Sequence, residues 1–192
     1  MKTTRCGRAK REFIAKHGLV IWRFHDHWHR RSPDGIQAGM TRVLGWAKYQ
    51  DPQNPHLFKL PRTTLRELAD DVANKLDRPV LRIVGNPDMP VTLVAMSPGA
   101  AGFTRQAAAL EGDGVDVLLA GESHEWETVE YAADAVSQDR RKALILIGHV
   151  PSEQAGMEDC AQWLKTFVKS VPIEFVATRQ PFWTSAGHLS AH

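Results

Sequence analysis

Short apolar runs recur along the chain, separated by stretches with helical periodicity. Residues 19–24 (Leu-Val-Ile-Trp-Arg-Phe), 80–84, 91–96, 115–120, 143–147 and 173–177 are each short and bounded by polar residues or turn formers. Each predicts a strand. Between them lie helix patterns. Residues 8–16 form a charged one, closed by His17 and by Gly18 at the C-cap. The turn Ser32-Pro-Asp-Gly35 contains Asp34, a candidate N-cap for a helix over roughly 36–47. Thr64 and Glu67 make a capping box that opens a helix to about Leu76, with Leu65, Leu68, Val72 and Leu76 as its apolar stripe. Further helices are expected over 103–110, after Trp126 to about Ser137, and near 154–169. Pro52, Pro55 and Pro61 mark 51–61 as a loop, and the short connection 85–88 predicts an antiparallel hairpin of 80–84 with 91–96.

Strands and helices alternate through the second half, so the expected class is α/β. The architecture expected is a layered α/β/α sandwich, with a mainly parallel mixed sheet and one antiparallel hairpin. The chain reads as one domain over 1–192, its core about 19–178, preceded by a basic N-terminal helix (1–18) and followed by a tail (179–192) that is frayed over 187–192.

Composition narrows the function classes. The 192 residues are 43% apolar and 24% charged, ordinary for a soluble globular protein. A net charge of +2 argues against a dedicated nucleic-acid binder, and Lys2, Arg5, Arg8, Lys10 and Arg11 read as a solvated segment. No apolar run approaches the roughly 18–20 residues of a membrane span, and no apolar stretch follows the basic N-terminus as in a secretory signal. Cys6 and Cys160 have no CxxC spacing, which makes a reducing, cytoplasmic setting the expectation. Six tryptophans are many for this length; some should be core and some should line a pocket or an interface.

Candidate chemistry sits at three strand ends: His25, Asp26, His27 and His29; Glu122, His124 and Glu125; His149 and Glu153. Ligands in such sheets bind at the strand ends, on loops. If a helix begins near His149, His149 and Glu153 share a face at i and i+4, where imidazole and carboxylate suit Zn, Mn or Fe better than Ca or Mg alone. If the chain stays extended after Phe24, His25, His27 and His29 share one face; if it turns helical, His25 and His29 do. His124 is a candidate acid/base near neutral pH, with Glu122 beside it; Ser123, Glu125 and Glu127 read as helix-start residues. Residues 98–102 could cradle a phosphate at a helix start, but match neither a Walker loop nor GxGxxG, and close strand–helix packing is the preferred role.

In order along the chain, these stretches resemble the Nif-three-like family of dinuclear-metal-centre proteins, also labelled GTP cyclohydrolase I type 2. Gly148-His-Val-Pro-Ser-Glu resembles the family's closing GH-x-x-[ST/A]-E signature, and Gly121-Glu-Ser-His its TGE/TGD-x-x-H stretch. Val84-Gly-Asn-Pro-Asp-Met-Pro-Val resembles its VGDPD-x-PV segment, with the helix over 63–76 before it. Phe24-His-Asp-His-Trp-His resembles the stretch that supplies its mid-chain metal ligand. The resemblance spans about residues 19–178. It implies His149, Glu153, Asp26, His25 and His29 as metal ligands, one or two divalent ions (Zn, Mn or Fe) per chain, and a homohexameric ring. No HHP or HEP motif stands before residue 19, so the family's first ligands are missing and the chain reads as starting late.

The expected function is a metal-dependent hydrolase acting on a phosphorylated or nucleotide-like small molecule, with His124 or Glu122 moving the proton. The alternatives are a non-catalytic metal-binding or scaffold ring protein and a truncated, inactive copy.

Overall fold

The computed structural model describes residues 4–78, 80–178 and 182. The expected tail over 179–192 lies outside them except for residue 182. The described residues form seven α-helices, a 3-10 turn at Ala47–Tyr49, a π-helical turn at Glu125–Val129 and one sheet. The helices are α1 (Arg5–Lys16), α2 (His25–His29), α3 (Gly35–Val43), α4 (Leu65–Lys75), α5 (Phe103–Glu111), α6 (Glu130–Ser137) and α7 (His149–Lys165). The strands are β1 (Leu57–Thr64), β2 (Arg82–Val84), β3 (Pro90–Ser97), β4 (Val117–Ala120) and β5 (Ala143–Leu146), in the spatial order β1-β3-β4-β5-β2.

β3, β4 and β5 are parallel, while β1 and β2 flank them antiparallel. The α/β class and the mixed sheet are therefore as expected. The central strands are buried on both faces, which is why 117–120 and 143–146 read as unbroken apolar runs. One face packs on α3 and α4 through Met40, Leu44, Leu65, Leu68 and Val72. The other packs on α5 and α6 through Leu110 and Ala132.

Four expectations need correction. First, 80–84 and 91–96 do not form a hairpin. β2 pairs with β5 at one edge, and β3 lies two strands further in. The connection 85–89 is held under α4, whose free N-terminal amides of Leu65 and Arg66 donate to the carbonyls of Met89 and Pro87. Its five residues can reach about 17 Å, enough for the roughly 14 Å across three strand spacings.

Second, 57–61 is not loop but the start of β1. The register shifts between Lys59 and Thr63, so Pro61 sits at an irregularity of an edge strand, where a missing N–H is tolerated. Third, 19–24 pairs with no strand among the described residues; Leu19, Val20, Ile21 and Trp22 are exposed, and Phe24 is stacked 6.0 Å from Trp163. Fourth, 173–177 is irregular, with Val176 exposed. β-propensity records fitness for a half-buried pleat, and neither segment finds a neighbouring strand.

The N-caps expected for α3 and α4 are both present. Asp34 accepts from the amides of Ile36 and Gln37, and Thr64 and Glu67 close a reciprocal box. α3 ends at Val43, short of the expected 47. α7 begins at His149, earlier than the expected 154, because Gly148 at φ +95° turns the chain sharply out of β5. α7 lies on α3 with Gly39 against Gly156: a Cβ on Gly39 would sit 2.3 Å from the Gly156 amide nitrogen. That backbone-to-backbone approach, with the Trp28 indole donating to the Gly156 carbonyl (2.8 Å), fixes α7 against α2 and α3.

Candidate metal centre

Two helices meet over the C-terminal ends of the parallel strands. α2 carries His25 and His29 one turn apart, with ring centroids 4.6 Å apart and edge-on. The helical alternative for 25–29 is thus the one realised. His27 falls on a different face, exposed and stacked on Phe24. α7 carries His149 and Glu153, also one turn apart.

Glu153 is the centre of the cluster, and its side chain is only 12% exposed. Its Oε2 lies 3.0 Å from His25 Nε2; its Oε1 lies 3.4 Å from His149 Nε2 and 3.7 Å from His29 Nε2. One donor atom each from His25, His29 and Glu153 fall within 4.8 Å of one another. The room for this carboxylate comes from Gly99, where a Cβ would stand 2.2 Å from Glu153 Oε1. The glycine loop 98–102 therefore serves close packing. Its Gly99 amide donates to Ser152 Oγ (2.8 Å), and that hydroxyl donates to the His149 carbonyl (2.6 Å). Gly121 approaches the same spot, its Cβ position 2.4 Å from Ser152 Oγ.

Each histidine has a carboxylate behind it. His25 Nδ1 lies 3.1 Å from Asp26 Oδ1, His29 Nδ1 lies 2.8 Å from Asp34 Oδ2, and His149 Nδ1 lies 2.9 Å from Glu122 Oε2. A carboxylate on one ring nitrogen orients the ring and raises the basicity of the other, which is how metal-binding imidazoles are commonly held. Burial would lower the pKa of His25, but the hydrogen bond to Asp26 and the charge of Glu153 outweigh it and hold the imidazole above its usual value. Asp26 is held below the usual carboxylate range, by the His25 hydrogen bond first and then by Arg23.

The structure thus brings together His25, His29, His149 and Glu153. Asp26 is drawn in only through His25 and is more than half exposed. Glu122 reaches the cluster through His149. His124 is instead bonded to Glu127 (2.7 Å) and stacked on Trp126. Ser123, read as a helix start, donates to Gln106 Oε1, and His124 occupies the cap position. Asp34 was visible in the sequence only as an N-cap; its second oxygen holds His29, and an acidic cap five residues after a histidine is the signal that could have found it.

Two imidazoles and a carboxylate fit an ion of the Zn, Mn or Fe class. Among the described residues this is the one such group of three.

The Duf34/NIF3 (NGG1p interacting factor 3) family profile matches residues 12–181. No curated protein sequence matches the chain. Among solved structures, protein SA1388 of Staphylococcus aureus superposes with a TM-score of 0.62 at 16% identity, covering 92% of this chain and 75% of that one. A Bacillus cereus protein related to NIF3 gives 0.52 at 20% identity, covering 67% of this chain and 35% of that one. Reduced HcgD from Methanocaldococcus jannaschii gives 0.55 at 9% identity, covering 88% and 65%. At these identities the likeness is one of fold. The chain spans about a third of the Bacillus cereus protein.

Proposed function

The chain belongs to the Duf34/NIF3 family, and on that premise we propose that it binds a divalent ion of the Zn, Mn or Fe class through His25, His29 and Glu153, with His149 completing the set, and hydrolyses a phosphorylated or nucleotide-like small molecule. The observation that carries this reading is the convergence of those three donors within 4.8 Å.

A bound divalent ion would supply Lewis acidity and lower the pKa of water towards about 7. The chain's own residues supply the rest. Glu153 presents one oxygen to His25 and the other towards His149 and His29, so one carboxylate serves both helices. Asp26, Asp34 and Glu122 each hold an Nδ1 and leave the Nε2 atoms turned to Glu153. Glu122, exposed and 2.9 Å from His149, is placed to exchange a proton between that ring and solvent. His124, exposed two residues on at the cap of the π-helical turn, is the outer candidate for that role. Asp26 acts in this reading as the group that orients His25. A hexameric ring, on family membership, and a cytoplasmic setting, on the spacing of Cys6 and Cys160, complete the proposal; no helix of the described residues is long and apolar enough to cross a membrane.

A second reading, a metal-binding scaffold without catalysis, draws on the single three-donor group among the described residues, where a two-metal hydrolase would need more ligands. The test is metal analysis of chelator-stripped and Zn- or Mn-reloaded protein, followed by phosphoester and nucleotide turnover. Uptake with turnover that chelator abolishes supports the hydrolase. Stoichiometric uptake without turnover supports the scaffold. No uptake sinks both.

A further inference from the structure

Helix α1 and residues 18–23 form an arm that projects from the body. No residue of α1 is buried, and Val20 and Trp22 are 93% and 69% exposed. The arm is both basic and apolar. α1 carries Arg5, Arg8, Lys10, Arg11 and Lys16 against Glu12 alone, and the arm exposes Phe13, Leu19, Val20, Ile21 and Trp22. Among the described residues none of the five cations of α1 forms a salt bridge; the nearest arm cation that does is Arg23, with Asp26.

Elsewhere on the molecule lies a surface of opposite sign. Glu122, Glu125, Glu127, Glu130 and Asp134 follow one another, with no Lys or Arg between 122 and 139. Glu122, Glu125 and Glu127 are engaged by His149, Arg82 and His124. Glu130 and Asp134 stand one turn apart on α6, both exposed, and pair with no cation among the described residues. Beside them Trp126 is 75% exposed. An acidic ridge with an apolar knob thus matches a basic arm with apolar side chains. At physiological salt fields reach only about 8 Å, so this local complementarity outweighs the chain's small net positive charge.

We infer that the arm of one copy docks on the acidic ridge, residues 125–134, of a second copy. Arg8 and Arg11, one turn apart on α1, face the carboxylates of Glu130 and Asp134, and the arm's apolar residues cover Trp126. The two surfaces differ, so the contact is head-to-tail: each copy keeps one free arm and one free ridge, and the series closes into a ring or extends. The inference rests on exposure and charge and is independent of the metal reading.

The test uses the full chain, half of it 15N-labelled and mixed with unlabelled protein. A carbodiimide then joins lysines to carboxylates in direct contact. In Arg8→Lys/Arg11→Lys protein, which keeps the arm's charge and supplies amines on the docking face, the expected products are peptides linking position 8 or 11 to Glu130 or Asp134, about half of them carrying one label from each pool. They should disappear in the Glu130→Lys/Asp134→Lys protein. New links should form when that protein is mixed with Arg8→Glu/Arg11→Glu protein, which restores opposite charges in trans. Links with only matched labels would mean an intrachain contact and would overturn the inference. So would links confined to other surfaces, a monomer at every concentration, or arm-dependent binding to phosphatidylserine vesicles without arm–ridge links. Each of these would leave the metal proposal standing.

Discussion

His25 lies between two carboxylates, with Nδ1 3.1 Å from Asp26 and Nε2 3.0 Å from Glu153, and only an imidazolium donates to both at once. Its raised pKa has the same origin. The proton on Nε2 occupies the direction a metal ion would take, so ion and proton compete. Without metal, the His25 contribution to stability is fully present below its unfolded pKa of about 6.5 and is lost as pH rises through its higher folded value. Metal uptake runs the other way: it should strengthen as pH rises through that value, and titrations of Zn affinity between about pH 6 and 8 would show it. Flat affinity across that window would remove His25 from the ligand set. Asp34 offers a second check. Its loss in Asp34→Ala removes an N-cap, costing about 1 kcal/mol in thermal unfolding, and should weaken metal binding roughly 10- to 100-fold through His29. Asp34→Ser keeps a cap and loses the contact to His29, so weak binding with near-normal stability is expected there. At this scale the sequence showed the i, i+4 pair on α7 because Gly148 and Pro151 mark a helix start. It hid the work of Gly99, which depends on where Glu153 arrives from another element.

The approach of α7 to α3 places Glu153 over α2, and it depends on two glycines. Gly39→Val should destabilise by about 1–3 kcal/mol, because the contacting atoms are Gly156 backbone and cannot rotate away. The same change should weaken metal uptake although every ligand remains; unchanged uptake would separate the helix contact from the site. On the opposite face, Glu111 at the end of α5 binds Arg140 and Tyr131. Arg140 first, then Tyr131, push its carboxyl down to about 2. The stability this supplies is present above the usual value of about 4.5 and is lost as pH falls from there through about 2. Unfolding scans of Glu111→Gln should therefore show a shallower loss of stability across that interval than the parent chain. Elements whose signals are local were legible: the caps of α3 and α4 and the apolar runs of β4 and β5. Strand partners were not. Pairing of β2 with β5 joins residues about 60 apart, and Pro61 concealed an edge strand whose irregular register tolerates it.

For the molecule as a whole, the parallel order of β3, β4 and β5 brings the loops after them to one end of the sheet. Those loops supply Gly99, Glu122 and His149, and the helices α2 and α7 close over them. The strand ends named from the sequence do meet, because parallel strands must end on the same side. The exception is the first: 19–24 ends in the right place without being a strand, since α2 is fixed through Trp28 and Gly156 rather than through the sheet. The sequence pattern pointed to these strand ends and missed how the side chains there are held.

X-ray absorption at the zinc edge of protein reloaded with one equivalent of Zn reads the donor set around the ion itself. The account predicts a first shell of nitrogen and oxygen near about 2.0–2.1 Å, with the outer-shell scattering of two or three imidazoles, and loss of bound zinc in Glu153→Gln protein whose circular dichroism is unchanged. A shell without imidazole scattering, or zinc retained in full by that variant, would contradict it.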